Sequence, residues 1–498
     1  MAELECSGRC FKGWLRSNVL LLLTLGGVII GFIIAVLVKP LDPSDNAIMW
    51  INFPGELFMR ALKCCILPII VSSVITAVAS LDVKTNSKMG GIAFAFMVIA
   101  VVLAVILGMV LTFAIRPGAS FSDASEEAQS KKVAYYETQD VFADLFRNLF
   151  TDNIVKACFQ KAYTSYELDI NETYDTSLNE TLKKIDVLSK SVAYTGGSNY
   201  LGVLVFSIAF GTAMSVERKQ TAVMLDFFMA MRVIVFQIIT VLLWLLPIAT
   251  ISLIAGSLLR VDNIIGVLIS LGLFSVTVLV GLAIHTFITV PLLFFAFTRK
   301  NPFKPYLTGS FKPGLFLTIV RSSIATMAEI LKACERIGMN QKVYDFVVPL
   351  SISFKKDGSA VFIVSSCIWL AQTKGIAFSA GSVISTGIMA MAMAMCLPGV
   401  PSASVVAVAT IASTAGLPLE NIGVLFAMEW LLDALRGGVN GISYVMNTGA
   451  VDVRMANTFS ETEDPAKARA LDDDELGDEN AIALNSSNVN VNEKGTYL

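Results

Sequence analysis

Long runs of apolar residues recur along this chain, and a transmembrane helix needs about 20 such residues in succession. Of the 498 residues, 55% are hydrophobic and 15% are charged. The mean hydropathy is +0.69, which no soluble domain of this size reaches. The pattern therefore predicts an all-α polytopic membrane protein. Its first six apolar runs lie at about Asn18–Val38, Gly55–Leu81, Met89–Ile115, Tyr200–Ser215, Phe227–Leu259 and Gly266–Phe297.

Basic residues and glycosylation sequons orient these runs in the membrane. The head, residues 1–17, is basic, and positive charge favours the cytoplasmic side. A long polar insert, residues 116–198, carries N-glycosylation sequons at Asn171 and Asn179. With the head inside, the insert after the third run falls outside, so the two signals agree. We predict a multi-pass plasma-membrane protein with cytoplasmic termini and external glycosylation.

The apolar segments of the last third of the chain are interrupted by polar residues. Tyr306–Ile330 is broken at Arg321–Ser323. Ile376–Leu417 is broken at Pro398–Ser404. Short, interrupted apolar segments are typical of the midplane site of a transporter. We therefore expect the binding site in this part of the chain.

Between these two segments, Ser353–Ala360 places three adjacent charges inside a segment that is otherwise apolar. Insertion scales put a lysine or aspartate at a helix centre at about 2.5–3.5 kcal/mol each. Such residues usually face protein or a water-filled cavity and mark a substrate or ion site. We expect Gly358 to let the helix break here, which would free backbone groups to act as ligands.

Polar residues also follow one face of the last predicted span, Val424–Val445. Glu429, Asp433, Arg436 and Asn440 lie at offsets of 4, 7 and 11, which place them in one stripe of a helix. Guanidinium groups bind carboxylates bidentately, and a buried carboxylate matches an ammonium, so a zwitterionic solute with a carboxylate would suit the polar cavity that this helix and the interrupted segments form. The alternative for Asp433 and Arg436 is an internal salt bridge. The polar cavity that we predict contains Arg321, Lys355, Lys356, Asp357, Asp433 and Arg436.

Five motifs then identify a family. They are Phe53–Leu57 (FPGEL), Arg299–Pro302 (RKNP), Ser322–Thr326 (SSIAT), Asp357–Ala360 (DGSA) and Trp430–Arg436 (WLLDALR). From about Asn18 to Val453 the chain resembles an animal member of the dicarboxylate/amino acid:cation symporter family, the excitatory amino-acid transporters. The resemblance implies eight transmembrane helices, two re-entrant hairpins, inverted repeats and an elevator-type homotrimer. It divides the chain into a scaffold-rich half (18–298), a transport core (299–453) and a disordered acidic cytoplasmic tail (454–498).

The resemblance also assigns a substrate site for acidic or neutral amino acids such as L-glutamate and L-aspartate. Asp433 matches the aspartate that holds the substrate ammonium, and Arg436 matches the arginine that holds the side-chain carboxylate. Asn440 matches an asparagine near the substrate backbone. Arg321 stands where animal relatives place a serine, and Ala434 stands where they carry a second arginine. The hairpin tips contribute Arg321, Ser322 and Ser323 from the first, and Val400, Pro401, Ser402, Ala403 and Ser404 from the second.

The ion-coupling positions depart from the family. Lys355 and Lys356 replace an asparagine and a methionine that contact sodium ions, and Tyr444 replaces a sodium-binding carboxylate. Ile363 stands where glutamate carriers have a proton-carrying glutamate. Phe96–Val101 replaces a tyrosine and threonines that face sodium. The altered ion-coupling positions are Lys355, Lys356, Asp357, Ser359, Ile363 and Tyr444.

An ammonium at position 355 would repel a bound Na⁺ by several kcal/mol at low effective dielectric. We predict weak or absent sodium coupling, with Lys355 acting as a tethered cation beside Asp357. The resemblance suggests Na⁺ as a coupling ion, although the altered positions argue against it, and we expect no cofactor or metal besides it.

Three functions stay open on the sequence alone. The first is a secondary carrier, the second a substrate-gated anion channel, and the third a non-transporting trimer partner or sensor. An enzyme is not favoured, because His285 is the single histidine and lies in an apolar run, where we expect a core residue. The sequence also contains no nucleotide-phosphate loop, and no basic cluster that would suit a nucleic-acid partner.

Overall fold

The computed structural model describes residues 19–79, 83–121, 138–175, 180–261, 263–376, 378, 380–397, 403–414, 417 and 421–462. These residues are mostly helical. The helices are α1 (Val19–Val38), α2 (Asp45–Ala79), α3 (Val83–Ile115), α4 (Thr138–Leu149), α5 (Ile154–Ala157), α6 (Tyr200–Val216), α7 (Arg218–Leu243), α8 (Leu246–Leu259), α9 (Ile264–Ile284), α10 (Val290–Thr298), α11 (Thr308–Val320), α12 (Ser323–Ile337), α13 (Gln341–Phe354), α14 (Asp357–Gln372), α15 (Ala380–Cys396), α16 (Ala403–Thr414) and α17 (Ile422–Thr462).

Five helical segments of the described chain are long and apolar enough to cross a membrane. They are Val19–Leu41, Asp45–Thr76, Lys88–Ile115, Arg218–Leu243 and Ile264–Thr298. Many large apolar side chains on them, such as Ile29 and Val233, point outward and are exposed. Lipid is the solvent that accepts such a surface. The chain is therefore a multi-pass membrane protein.

One predicted run is not a single helix. The apolar stretch Phe227–Leu259 is divided into α7, which ends at Leu243, and α8, which begins at Leu246. Pro247 lies in the first turn of α8. A proline lacks the N–H that would continue the preceding helix, so it belongs at a helix start.

The polar insert corrects the all-α prediction, because it contains a β-hairpin. Strand β1 (Gln160–Asp175) pairs antiparallel with strand β2 (Glu180–Gly196), with Gln160 opposite Gly196. Asn171 lies in β1 opposite Lys184, whereas Asn179 lies outside the described residues. The sequence carries the signal for β1, since apolar or aromatic residues alternate with polar ones along much of it.

Helix α4 holds the base of this hairpin. The Asp144 carboxylate accepts hydrogen bonds from the backbone N–H and the hydroxyl of Thr164 in β1, both at 2.7 Å. Outside the membrane-spanning segments, the Lys190 ammonium on β2 donates to Asp140 at 2.8 Å. That hydrogen bond, with a second from Tyr166, lowers the pKa of the Asp140 carboxyl. Helix α4 and the short α5 thus belong to the polar insert together with the hairpin.

Helix α17 lies at the centre of the second half of the chain and packs against α11, α13 and α14. Helices α11 and α12 pack against each other across a two-residue link, and α15 and α16 also contact each other. Helix α14 is buried from Asp357 to Ala371 on every side, as expected for a helix in a protein core. Helix α17 continues to Thr462. Residues 454–462, the start of the tail that we predicted to be disordered, are therefore helical.

Candidate functional site

The helix break in Ser353–Ala360 lies at Lys355 and Lys356, before the predicted position at Gly358. Helix α13 ends at Phe354, Lys355 is extended (φ −112°, ψ 105°), and α14 begins at Asp357. The expectation that Gly358 is the breaking residue is wrong, since Gly358 is helical within the first turn of α14. It serves close packing instead. A Cβ built on Gly358 would lie 2.9 Å from the carbonyl oxygen of Arg436 in α17.

The Gly358→Ala substitution should therefore lower the stability of the protein. The extra methyl must push α14 away from the α17 backbone, and overpacking of this kind costs about 1–3 kcal/mol. Gly272→Ala is the matched control, because a Cβ on this helical residue meets nothing within 4 Å. Thermal unfolding of the purified proteins in detergent should show a lower Tm for Gly358→Ala only. Equal Tm values for the two variants would contradict this packing.

Lys355 and Asp357 form a fully buried ion pair at the break. The Lys355 ammonium contacts both the Asp357 carboxylate and the Ser443 hydroxyl of α17. The Ser443 hydroxyl donates to the same Asp357 oxygen at 2.6 Å, and the Nε2 atom of His285 lies 3.2 Å from it. His285 begins a π-helical turn between α9 and α10, a feature that is frequent at functional sites. His285 is buried as expected, and it also contacts the charged cluster.

Lys356 is also buried, but its ammonium has partners different from those of Lys355. Its ammonium donates to the Ile352 carbonyl and, at 2.9 Å, to the Tyr444 hydroxyl. The Tyr444 hydroxyl lies 3.4 Å from the hydroxyl of Ser323 at the start of α12. Lys356 thus connects the helix break with Tyr444 of α17 and, through Tyr444, with Ser323 of α12.

The side chains at these positions do not offer a sodium ion a suitable set of oxygen ligands. Sodium sites in transporters use carbonyl and carboxylate oxygens of unwound helices. Here an ammonium already contacts the Asp357 carboxylate, and a second ammonium contacts Tyr444. Phe96–Val101 has no side-chain oxygen, and the Phe96 ring centroid lies 5.7 Å from the Lys355 ammonium. A further cation would lie against a positive charge that is fixed to the chain.

The polar stripe of α17 forms a second cluster, around the guanidinium of Arg436. Its Nη1 and Nη2 atoms donate to the two oxygens of Glu429 at 3.2 and 2.7 Å. Its Nη2 atom also donates to Asp433 at 2.9 Å. The guanidinium lies 4.0 Å from the centroid of the Phe362 ring. Arg436 and Glu429 are buried, and the Asp433 side chain is 17% exposed. The internal salt bridge at i, i+3 is therefore present, and Glu429 extends it.

The link between α11 and α12 brings Arg321 to this cluster. Arg321 ends α11 in the left-handed conformation (φ 57°), and its Nη2 atom donates to the Trp430 carbonyl of α17 at 2.6 Å. Ser322 caps α12 by accepting from the backbone N–H of Ala325 at 3.4 Å. Ser323 is buried beside Tyr444. Arg321 thus approaches the stripe from the link between α11 and α12, whereas Arg436 belongs to the stripe itself.

The remaining predicted residues lie around these two clusters. Asn440 accepts from the backbone N–H of Gly358 at 2.9 Å, which joins α17 to the helix break. Ser359 and Ile363 are buried in α14, and Ile363 belongs to the hydrophobic core. Ala403 and Ser404 lie at the start of α16, and Ser404 is buried. Val400, Pro401 and Ser402 lie outside the described residues.

The predicted site did not include Glu429, Ser443 or the Trp430 carbonyl. Glu429 could have been included, because it belongs to the same stripe as Asp433 and Arg436. Ser443 and His285 reach Asp357 from 86 and 72 residues away, and no local pattern signals such contacts.

Comparisons with known proteins agree with this architecture. Residues 20–453 match the sodium:dicarboxylate symporter family. An excitatory amino acid transporter of Caenorhabditis elegans is 33% identical over 446 residues, which cover 88% of each chain. Excitatory amino acid transporter 2 of Mus musculus is 33% identical, over 88% of this chain and 79% of the relative. Excitatory amino acid transporter 3 of Mus musculus is 32% identical, over 91% and 88%.

The resemblance found in the sequence motifs is thus confirmed, and these relatives are transporters rather than enzymes. With a family match that spans almost all of the described residues, this chain belongs to the sodium:dicarboxylate symporter family.

Proposed function

We propose that this chain is a secondary active transporter of acidic or neutral amino acids, with weak or absent sodium coupling. The observation that carries the proposal is the buried Arg436 guanidinium beside the partly exposed Asp433 carboxylate. Asp433 offers a partner for a substrate ammonium, and Arg321 and Arg436 supply positive charge beside it for a substrate carboxylate. Excitatory amino acid transporters are among the relatives of the chain, which supports this substrate class.

The two buried lysines support the loss of sodium coupling. The Lys355 ammonium lies beside Asp357, and the Lys356 ammonium lies beside Tyr444. Each one supplies a positive charge at a position where the family resemblance expects a contact with sodium. On this proposal the chain carries its own cations, so substrate binding needs none from solution.

The proposed architecture follows the family. It has eight transmembrane helices, two re-entrant hairpins, inverted repeats and a transport core that moves as an elevator within a homotrimer. The α11–α12 and α15–α16 pairs, each in mutual contact, support the two hairpins. The protein lies in the plasma membrane with both termini in the cytoplasm, and the insert with its sequons lies outside.

Counterflow in proteoliposomes tests the transport activity. Vesicles that contain the purified full chain and unlabelled amino acid should take up radiolabelled L-aspartate or L-asparagine. Asp433→Asn keeps the side-chain shape but removes the charge that holds the ammonium, so uptake should fall at least about tenfold, the effect of some 1.4 kcal/mol.

Uptake of both amino acids at the level of protein-free vesicles would overturn the proposal. Binding without exchange would identify a sensor or trimer partner, and anion currents without amino-acid flux would identify a channel.

A further inference from the structure

The Arg436 guanidinium already holds a carboxylate that belongs to the chain. Both Glu429 oxygens accept from it, at 3.2 and 2.7 Å, in the two-pronged geometry that is the strongest contact between these groups. Glu429 lies two helical turns before Arg436 on the same helix, and both side chains are buried. The pair is thus built into α17.

Few donors of Arg436 remain for a ligand. Its Nη2 atom is shared between Glu429 and Asp433, and its Nη1 atom donates to Glu429. One face of the guanidinium lies over the Phe362 ring. Its Nε atom has no hydrogen-bond partner among the described residues, and it is buried. A carboxylate from solution that binds both Nη atoms in the same two-pronged geometry would have to displace Glu429.

The charges of the cluster are balanced without such a ligand. Arg321 and Arg436 contribute two positive charges, and Glu429 and Asp433 contribute two negative charges. An amino acid with a neutral side chain brings no net charge. An acidic amino acid would bring a second carboxylate of its own and one net negative charge to a buried site, and like charges repel strongly where the dielectric is low. The carboxylates of Glu429 and of an acidic side chain therefore compete for one guanidinium.

We propose that Glu429 is a specificity-determining residue, an internal carboxylate that covers Arg436 and makes the site prefer amino acids with neutral, polar side chains over acidic ones. This inference rests on the proposed function, because it names the substrate class of the same site. Asparagine and aspartate provide the sharpest comparison, since they differ only by an amide in place of a carboxylate.

Glu429→Gln tests this preference. The amide keeps the size of the side chain but removes the charge, so the Arg436 guanidinium becomes available to an acidic ligand. Binding of radiolabelled L-asparagine and L-aspartate to the purified full chain gives the ratio of their affinities. The wild type should prefer asparagine, and Glu429→Gln should shift the ratio toward aspartate by about tenfold or more.

Two further variants keep the test decisive. Glu429→Asp shortens the side chain by one methylene, so it should shift the ratio in the same direction, and it retains a charge for the buried Arg436 if the amide variant fails to fold. Glu329→Gln is the control, because Glu329 pairs with Lys312 and Arg336 on the hairpin and stands apart from the site. It should leave the ratio unchanged.

The outcomes separate this inference from the proposed function. An unchanged ratio in folded Glu429→Gln and Glu429→Asp, or a wild type that prefers aspartate, overturns the inference alone. If neither amino acid binds to the wild type or to any variant, the proposed function falls and the inference falls with it.

Discussion

Replacing Lys355 with methionine should destabilise the protein strongly in the absence of sodium. The substitution keeps most of the side-chain volume but removes the ammonium that contacts the fully buried Asp357. Removing one partner of a buried ion pair costs about 3–5 kcal/mol, because the remaining charge is left uncompensated. Thermal unfolding in choline buffer should therefore show a clear fall in Tm for Lys355→Met.

The response to sodium is the second part of this prediction. The Tm of the wild type should be the same in sodium and choline buffers, because its ammonium already neutralises Asp357. The Tm of Lys355→Met should be higher in sodium, since any cation that binds only the folded protein stabilises it. A wild type that gains stability in sodium, together with a variant as stable as the wild type, would contradict the tethered-cation interpretation.

Lys312→Met is the matched control for this experiment. Lys312 pairs with Glu329 at 3.0 Å, but its side chain is 66% exposed. Surface ion pairs are worth about 0–1 kcal/mol, so this variant should unfold close to the wild type. The contrast between the two lysine variants separates the effect of the buried pair from a general loss of positive charge.

The second large effect is expected at Arg436. Arg436→Lys keeps the charge but loses the planar fork that holds both Glu429 oxygens and Asp433. Asp433 then loses the contact that orients it toward a substrate ammonium. Disrupting a buried, hydrogen-bonded charge pair costs about 2–5 kcal/mol, so amino-acid binding should weaken by about 30-fold or more.

Radiolabelled L-asparagine and L-aspartate binding measures this loss. Arg336→Lys is the control, because Arg336 pairs with Glu329 at 3.1 Å and its side chain is 50% exposed. It should leave both affinities unchanged. Retention of wild-type affinity by Arg436→Lys would show that the α17 cluster does not hold the substrate.

Much of the fold could be predicted because a run of about 20 apolar residues is long enough to cross a membrane as a helix. Length and hydropathy predicted the five apolar helical segments that are long enough to cross a membrane, and the interruptions at Arg321 and Lys355 predicted two of the helix breaks. Glycine was a poor guide to the break, because Gly358 is needed where α14 approaches α17 rather than where the helix ends. The two residues that leave the helix are the lysines themselves, and their non-helical backbones let both ammonium groups reach partners on α17.

The contacts of the site were less predictable than its members. The stripe on α17 placed Asp433 and Arg436 on one face, and the structure brings them into contact. Which carboxylate would take both guanidinium nitrogens depends on side-chain length, and the longer Glu429 reaches across two turns. Ser443 and His285 approach Asp357 only through the packing of helices that are distant in sequence. The β-hairpin of the insert was predictable from its alternating pattern, yet the polar character of the insert concealed it.

Sodium replacement during amino-acid uptake tests most directly whether the chain's lysines take the place of the coupling ion. Proteoliposomes that contain the wild type should take up radiolabelled amino acid at the same rate when external sodium is replaced by choline, and a sodium gradient should drive no accumulation above equilibrium. Uptake that requires sodium, or that an inward sodium gradient concentrates inside the vesicles, would contradict the tethered-cation proposal.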